Sequence, residues 1–174
     1  MLGLISYGGI GCAIGLGHPL LAGVLLAVLG PLDAVDGLLA REQGRVTRFG
    51  AFLDSCLDRY AEYFLFLGLA VFFHQRGDGF AGELLVLFAF SGSLLVSYTR
   101  ARAEALGFSC TVGMLTRFER LFILAVGLLF GWILPALAVI AVLAHVTAFQ
   151  RMFHVYRKSR HEAGEARRPD THGS

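Results

Sequence analysis

The chain has 174 residues, of which 56% are hydrophobic and 16% charged, with a net charge of +2. A water-soluble domain carries roughly 25% charged residues. The apolar residues here fall in long blocks, which excludes an ordinary soluble domain and indicates an all-α, polytopic membrane bundle.

Six transmembrane helices are predicted, at about 1–17, 19–41, 50–73, 80–105, 113–131 and 134–157. A bilayer core of about 30 Å takes about 20 helical residues. The first span starts at Met1 without polar flanking residues, so the chain is expected to be truncated at its N-terminus. It also lacks the basic region of a cleaved signal peptide. His18-Pro19, His74–Gly79 and Gly131–Pro135 divide the spans on one side. The 41–48 and 105–116 connections and the stretch after Tyr156 lie on the other. Of 15 Lys and Arg residues only Arg76 lies on the first side. The positive-inside rule makes the second side, and both termini, cytoplasmic. Residues 1–157 thus read as one transmembrane domain, and 158–174, charged and rich in small residues, as a disordered cytoplasmic tail. Cys12, Cys56 and Cys110 have no paired spacing and are expected to be small buried hydrophobes. His145 is expected to be a buried, hydrogen-bonded histidine without a metal role.

Four carboxylates stand out against this background. Asp33 and Asp36 are three apart and share a face late in the second span; Asp54 and Asp58 are four apart and share a face early in the third. The short polar connection predicts that these two spans are antiparallel neighbours whose acidic faces meet. An acid at the centre of a membrane helix costs about 2.5–3.5 kcal/mol, and four together repel. A divalent cation relieves both problems, and clustered carboxylates are the hard ligands that Mg²⁺, Mn²⁺ and Ca²⁺ prefer. Gly37, Ala40 and Gly50 leave bare backbone beside the acids, suited to close approach of a bulky ligand or of another helix.

The full pattern is D-x2-D-G-x2-A-R-x8-G-x3-D-x3-D from Asp33 to Asp58. It resembles, at every fixed position and spacing, the signature of the CDP-alcohol phosphotransferase (CDP-alcohol phosphatidyltransferase) family, and the six-span layout fits over residues 1–157. The resemblance implies transfer of a phosphate-linked alcohol from a CDP-alcohol, such as CDP-diacylglycerol, to an acceptor hydroxyl, with release of CMP. It implies a two-metal site of Mg²⁺ or Mn²⁺ on Asp33, Asp36, Asp54 and Asp58, with Asp58 also the general base. It implies that Asp33, Gly37, Ala40, Arg41 and Gly50 bind the CDP-alcohol. It further implies a multi-pass membrane homodimer with a cytoplasmic active site, a phospholipid-biosynthetic role and no nucleic-acid partner. The family usually carries a short amphipathic helix and a polar stretch before the first span, and this chain begins inside that span.

A second constellation is basic. Arg100 and Arg102 end the fourth span, Arg117 and Arg120 begin the fifth, and Arg151 comes late in the sixth. Guanidinium groups at one depth near the acids suit an acceptor phosphate, since Arg binds phosphate bidentately. Arginines at cytoplasmic helix ends also satisfy topology and lipid headgroups. The segment SYTRARAEALG looks like that of phosphatidylinositol-phosphate synthases and related archaeal enzymes, which implies inositol phosphate as the acceptor. Glycerol-3-phosphate is the alternative. A reading of another class is a small ion or proton transporter with intramembrane carboxylates. That reading expects acids near the midplane and repeated halves, and leaves Gly37, Ala40, Arg41 and Gly50 unexplained. A third is a catalytically inactive scaffold.

Overall fold

The computed structural model describes the backbone of residues 2–42, 47–77 and 80–165, and side chains at 3–33, 47–77 and 80–162. These residues form an all-helical bundle: α1 (Leu2–Gly15), α2 (Pro19–Glu42), α3 (Arg48–Arg76), α4 (Phe80–Ala105), α5 (Arg117–Phe130) and α6 (Ile133–Glu165). All six predicted spans therefore exist as helices. Length and hydropathy qualify α4 and the Ile133–Glu162 part of α6 to cross a membrane, while the apolar stretches Gly3–Gly15 and Pro19–Asp33 are shorter.

Local signals account for the ends. Thr47 caps α3, its hydroxyl accepting from the Gly50 amide at 3.0 Å. Thr116 and Glu119 form a reciprocal capping box at the start of α5. α5 stops at Gly131, whose φ of +72° is left-handed and open to glycine at no steric cost. α6 runs on to Glu165, beyond Lys158, where the charge pattern predicts a disordered tail; residues 166–174 lie outside the described part.

The helices pair closely as α1 on α3, α4 on α6 and α2 on α5, with α3–α4, α5–α6 and α1–α2 contacts joining the pairs. Among the described residues α2 and α3 are not the direct neighbours that their short connection predicts. Instead α1 packs on both. The reason lies in the α1–α3 crossing. A Cβ on Gly68 would fall on the carbonyl oxygen of Gly11, and one on Gly11 would meet the carbonyl of Phe64. With these backbones in contact, this face of α3 is taken by α1 and closed to α2. The core that follows is apolar: Tyr7, Ile10 and Ile14 of α1, Leu65 and Leu69 of α3 and Leu137 of α6 belong to one buried cluster. On the other side Gly92 of α4 admits Ala144 and His145 of α6. The His145 Nδ1 lies 2.8 Å from the Ala141 carbonyl, as expected of a hydrogen-bonded structural histidine, although the ring is half-buried rather than buried. Of the cysteines only Cys110 is buried; Cys12 is exposed and Cys56 intermediate, because each sits toward the outer face of its helix.

Ala normally favours a helix over Gly by about 1 kcal/mol. At Gly68 the sign is expected to reverse. Gly68→Ala forces the helices apart and should lower stability by about 1–3 kcal/mol, while Gly8→Ala, with nothing within 4 Å of the added carbon, should be neutral or stabilising. Thermal unfolding of both variants in detergent checks this, and equal unfolding temperatures for Gly68→Ala and the parent would remove the close crossing as a constraint.

Candidate functional site

Five helix ends and the start of α1 meet at one end of the bundle. The late part of α2 brings Asp33, the first turns of α3 bring Asp54 and Asp58, and α5 begins there with Arg117. Asp33, Asp54, Asp58 and Arg117 rim one small cavity of about 60 Å³, closed on the α1 side by Gly3, Leu4 and Tyr7. Gly3 permits this: a Cβ there would lie 3.2 Å from Asp33 Oδ1. Asp33 of α2 thus comes together with Asp54 and Asp58 of α3, around the first turn of α1 and not by direct pairing of the two helices. Asp36, Gly37, Ala40 and Arg41 belong to the last turns of α2, whose side chains lie outside the described residues.

Charge compensation dominates this cavity. Arg117 Nη1 stands 2.6 Å from Asp58 Oδ1 and 3.6 Å from Asp33 Oδ2. Its guanidinium also lies over the Tyr7 ring, 5.4 Å from the centroid. Hard carboxylate oxygens from two helices around one small cavity suit a divalent cation. Among the described residues no three Asp, Glu, His or Cys groups are already closed into a coordination set.

Asp54, Asp58 and Arg117 also border a larger cleft of about 320 Å³. Its far wall is basic: Arg59 of α3, Arg100 of α4, Arg120 of α5 and Arg151 of α6. The cleft therefore brings carboxylates and guanidinium groups together, and Ala51, Ser55 and Glu104 also line it.

The five arginines expected at an acceptor phosphate fare differently. Arg100 lines the cleft and is exposed, with its Nε on Glu104 at 2.8 Å. Arg117 lines it as described. Arg151 is buried, donating from Nε to the Val112 carbonyl at 2.9 Å and from Nη1 to the Val96 carbonyl. Arg120 is 3% exposed and bonds Glu62 Oε1 through Nε at 3.1 Å and Nη2 at 2.6 Å. Arg102 does not reach the cleft and is exposed; two helical residues differ by about 200° in direction, so Arg100 and Arg102 cannot face the same space. Gly50 is exposed and does not line the cleft, and its amide is engaged by the Thr47 cap.

Sequence reasoning missed Arg59 and Glu62. Arg59 lies 3.8 Å from Asp58 Oδ2 and 3.6 Å from Glu62 Oε2, and Glu62 is 2% exposed. A signal was present: two charges in the middle of an otherwise apolar span, three residues apart, mark a functional or paired site by default. Their partner Arg120 lies 58 positions away, and no local pattern reveals it.

The profile of the CDP-alcohol phosphatidyltransferase family matches residues 2–150. The archaetidylinositol phosphate synthase of Methanothermobacter thermautotrophicus is 41% identical over 140 residues, 77% of this chain and 69% of that protein. The archaetidylinositol phosphate synthase of Pyrococcus horikoshii is 37% identical over 142 residues, 81% of this chain and 72% of that one. Among solved structures, the phosphatidylinositol phosphate synthase of Mycobacterium tuberculosis with CDP-DAG bound superposes with a TM-score of 0.78 at 29% identity, covering 89% of this chain and 83% of the other. The same enzyme in complex with manganese and citrate gives 0.78 at 28% identity, covering 89% and 79%.

The buried Glu62–Arg120 pair yields a stability test. Removing Arg120 leaves the buried Glu62 carboxylate with only the 3.6 Å approach of Arg59, at a cost of up to about 3–5 kcal/mol. Arg120→Met should therefore lower the unfolding temperature sharply, and the double variant Glu62→Met/Arg120→Met should recover most of the loss. A single variant as stable as the parent would mean that the pair is not compensating.

Proposed function

The chain belongs to the CDP-alcohol phosphatidyltransferase family, and on that premise we propose that it transfers the phosphatidyl-type group of a CDP-alcohol, of the CDP-diacylglycerol class, to a hydroxyl of inositol phosphate, releasing CMP. The family makes it a transferase, which sets the transporter and scaffold readings aside. The carrying observation is the wall that the two cavities share: Asp54, Asp58 and Arg117 line both. Acids that suit a pyrophosphate-bound metal line the small cavity, arginines that suit an acceptor phosphate line the adjoining cleft, and Asp58 belongs to both. The names of the relatives support inositol phosphate over glycerol-3-phosphate.

Asp33, Asp36, Asp54 and Asp58 are the proposed ligands of Mg²⁺ or Mn²⁺, a choice supported by the manganese in the M. tuberculosis structure. When bound, the cations neutralise charge on the departing CMP and orient the pyrophosphate. Asp58 sits where the acidic and basic walls meet, so its carboxylate is the group to take the proton of the attacking hydroxyl. Arg100, Arg117 and Arg151 hold the acceptor phosphate and fix the distance of that hydroxyl from the CDP-alcohol. Arg59 and Arg120, anchored by Glu62, keep the cleft floor positive. Gly37, Ala40, Arg41 and Gly50 complete the nucleotide side in this proposal. The bundle crosses the membrane six times with the site toward the cytoplasm, as the charge asymmetry supports, and functions as a homodimer.

The purified protein is given CDP-diacylglycerol, Mn²⁺ or Mg²⁺, and in turn inositol phosphate, glycerol-3-phosphate, inositol and serine. CMP release is expected with inositol phosphate and to be lost on chelation of the metal. Asp58→Asn should lower kcat by about 10²–10⁴-fold. Arg100→Ala should raise the acceptor KM by roughly tenfold or more and leave the CDP-alcohol KM unchanged. Release with inositol or serine at the same rate would refute the phosphate reading.

A further inference from the structure

Arg117 stands in an unfavourable place for a helix. It is the first residue of α5, where the partial positive charge of the helix N-terminus repels a cation. Helix stability therefore gives no reason for an arginine here; the reason lies in what the side chain touches. Nη1 holds Asp58 Oδ1 at 2.6 Å and approaches Asp33 Oδ2 at 3.6 Å, while the Tyr7 ring backs the guanidinium. The Nε is buried and has no hydrogen-bond partner, so part of its donor fork is unspent. Arg117 also borders both the acidic cavity and the basic cleft.

From this placement we infer that Arg117 is shared between the two halves of the site: its guanidinium competes with a divalent cation for Asp33 and Asp58, and metal loading releases it to the acceptor phosphate. The inference rests on the functional reading above and deepens it by coupling the two substrates' subsites. A dication drawn to Asp58 and Asp33 removes the attraction that holds the guanidinium and adds repulsion at a few ångströms. The freed fork, with five donors in a plane, matches a phosphate bidentately. A phosphate in the cleft draws the same group away and leaves the carboxylates open to the metal. Each ligand therefore favours the arrangement that the other binds, and linkage requires the two effects to be equal. Donor-side loading then prepares acceptor binding, which keeps a phosphorylated alcohol from settling in a site that lacks its metal.

The test needs no turnover. Mn²⁺ binding to the full chain in detergent is followed by the loss of the free Mn²⁺ paramagnetic signal, with and without saturating inorganic phosphate, and phosphate binding is titrated with and without Mn²⁺. In the parent, phosphate should tighten Mn²⁺ by about fivefold or more, and Mn²⁺ should tighten phosphate by the same factor. Arg117→Gln and Arg117→Met should each bind Mn²⁺ several-fold more tightly than the parent in the absence of phosphate, with the coupling factor reduced to about one. A gain in affinity cannot come from an unfolded chain, so loss of structure cannot imitate this result. Unchanged or weaker Mn²⁺ binding in both variants, beside normal binding in the parent, overturns the shared role and leaves the proposed function standing. Coupling that persists in the variants also overturns it, since phosphate would then be acting on the metal directly. Absence of Mn²⁺ binding in parent and variants alike overturns the metal reading of the carboxylates and the shared role with it.

Discussion

The Arg117–Asp58 ion pair, 2.6 Å long and reinforced by Asp33, shows the constraint on which the rest of this bundle depends. Charges placed among apolar helices must be compensated, because their desolvation is costly and the surroundings screen little. Among the described residues the buried and half-buried carboxylates at this end each meet an arginine, and the buried Arg151 is satisfied by backbone oxygens instead. Asp58 meets Arg117 and Arg59, Glu62 meets Arg120 and Arg59, and Arg151 meets two backbone carbonyls. The ion pairs join α2, α3 and α5, and the bond from Arg151 to the Val96 carbonyl joins α6 to α4, so these contacts tie the helix ends to one another.

The apolar remainder of the bundle makes that convergence possible. Close crossings at Gly11–Gly68 and at Gly92 against Ala144 set which helices pair. Once α1 is seated on α3 and α2 leans on α5, the ends of α2, α4 and α6 and the starts of α3 and α5 gather on one side. Polar side chains at those ends have one shared space to occupy. The small cavity and the adjoining cleft take them up, and chemistry there works between partly desolvated charges, where electrostatic forces are stronger than in water. A two-part substrate with a charged head and a lipid tail suits such a boundary.

Much of the site was legible because its acids obey local rules. Spacing by three and four puts Asp33 with Asp36 and Asp54 with Asp58 whatever the tertiary arrangement, and the cost of acids in apolar helices singles them out. The arginines are harder to read, since each comes from a different helix. Arg100 and Arg102 look equivalent in sequence, yet helical phase sends them to opposite sides. Arg120 looks like a surface cation at a helix start and instead lies buried on Glu62. Nor did the short link between α2 and α3 predict their separation by α1, because a connection limits distance and leaves packing free.

By itself the sequence determined the helical elements, the carboxylate pairs and the family, because these follow from periodicity and spacing along a single segment. The tertiary structure decided which helices touch, which arginines reach the cleft, that Glu62 and Arg59 belong to it, and that Arg117 bridges acid and base. Those facts depend on side chains from distant segments meeting in one volume. Such meetings are set by glycine-scale packing and charge compensation between helices, which no local pattern records.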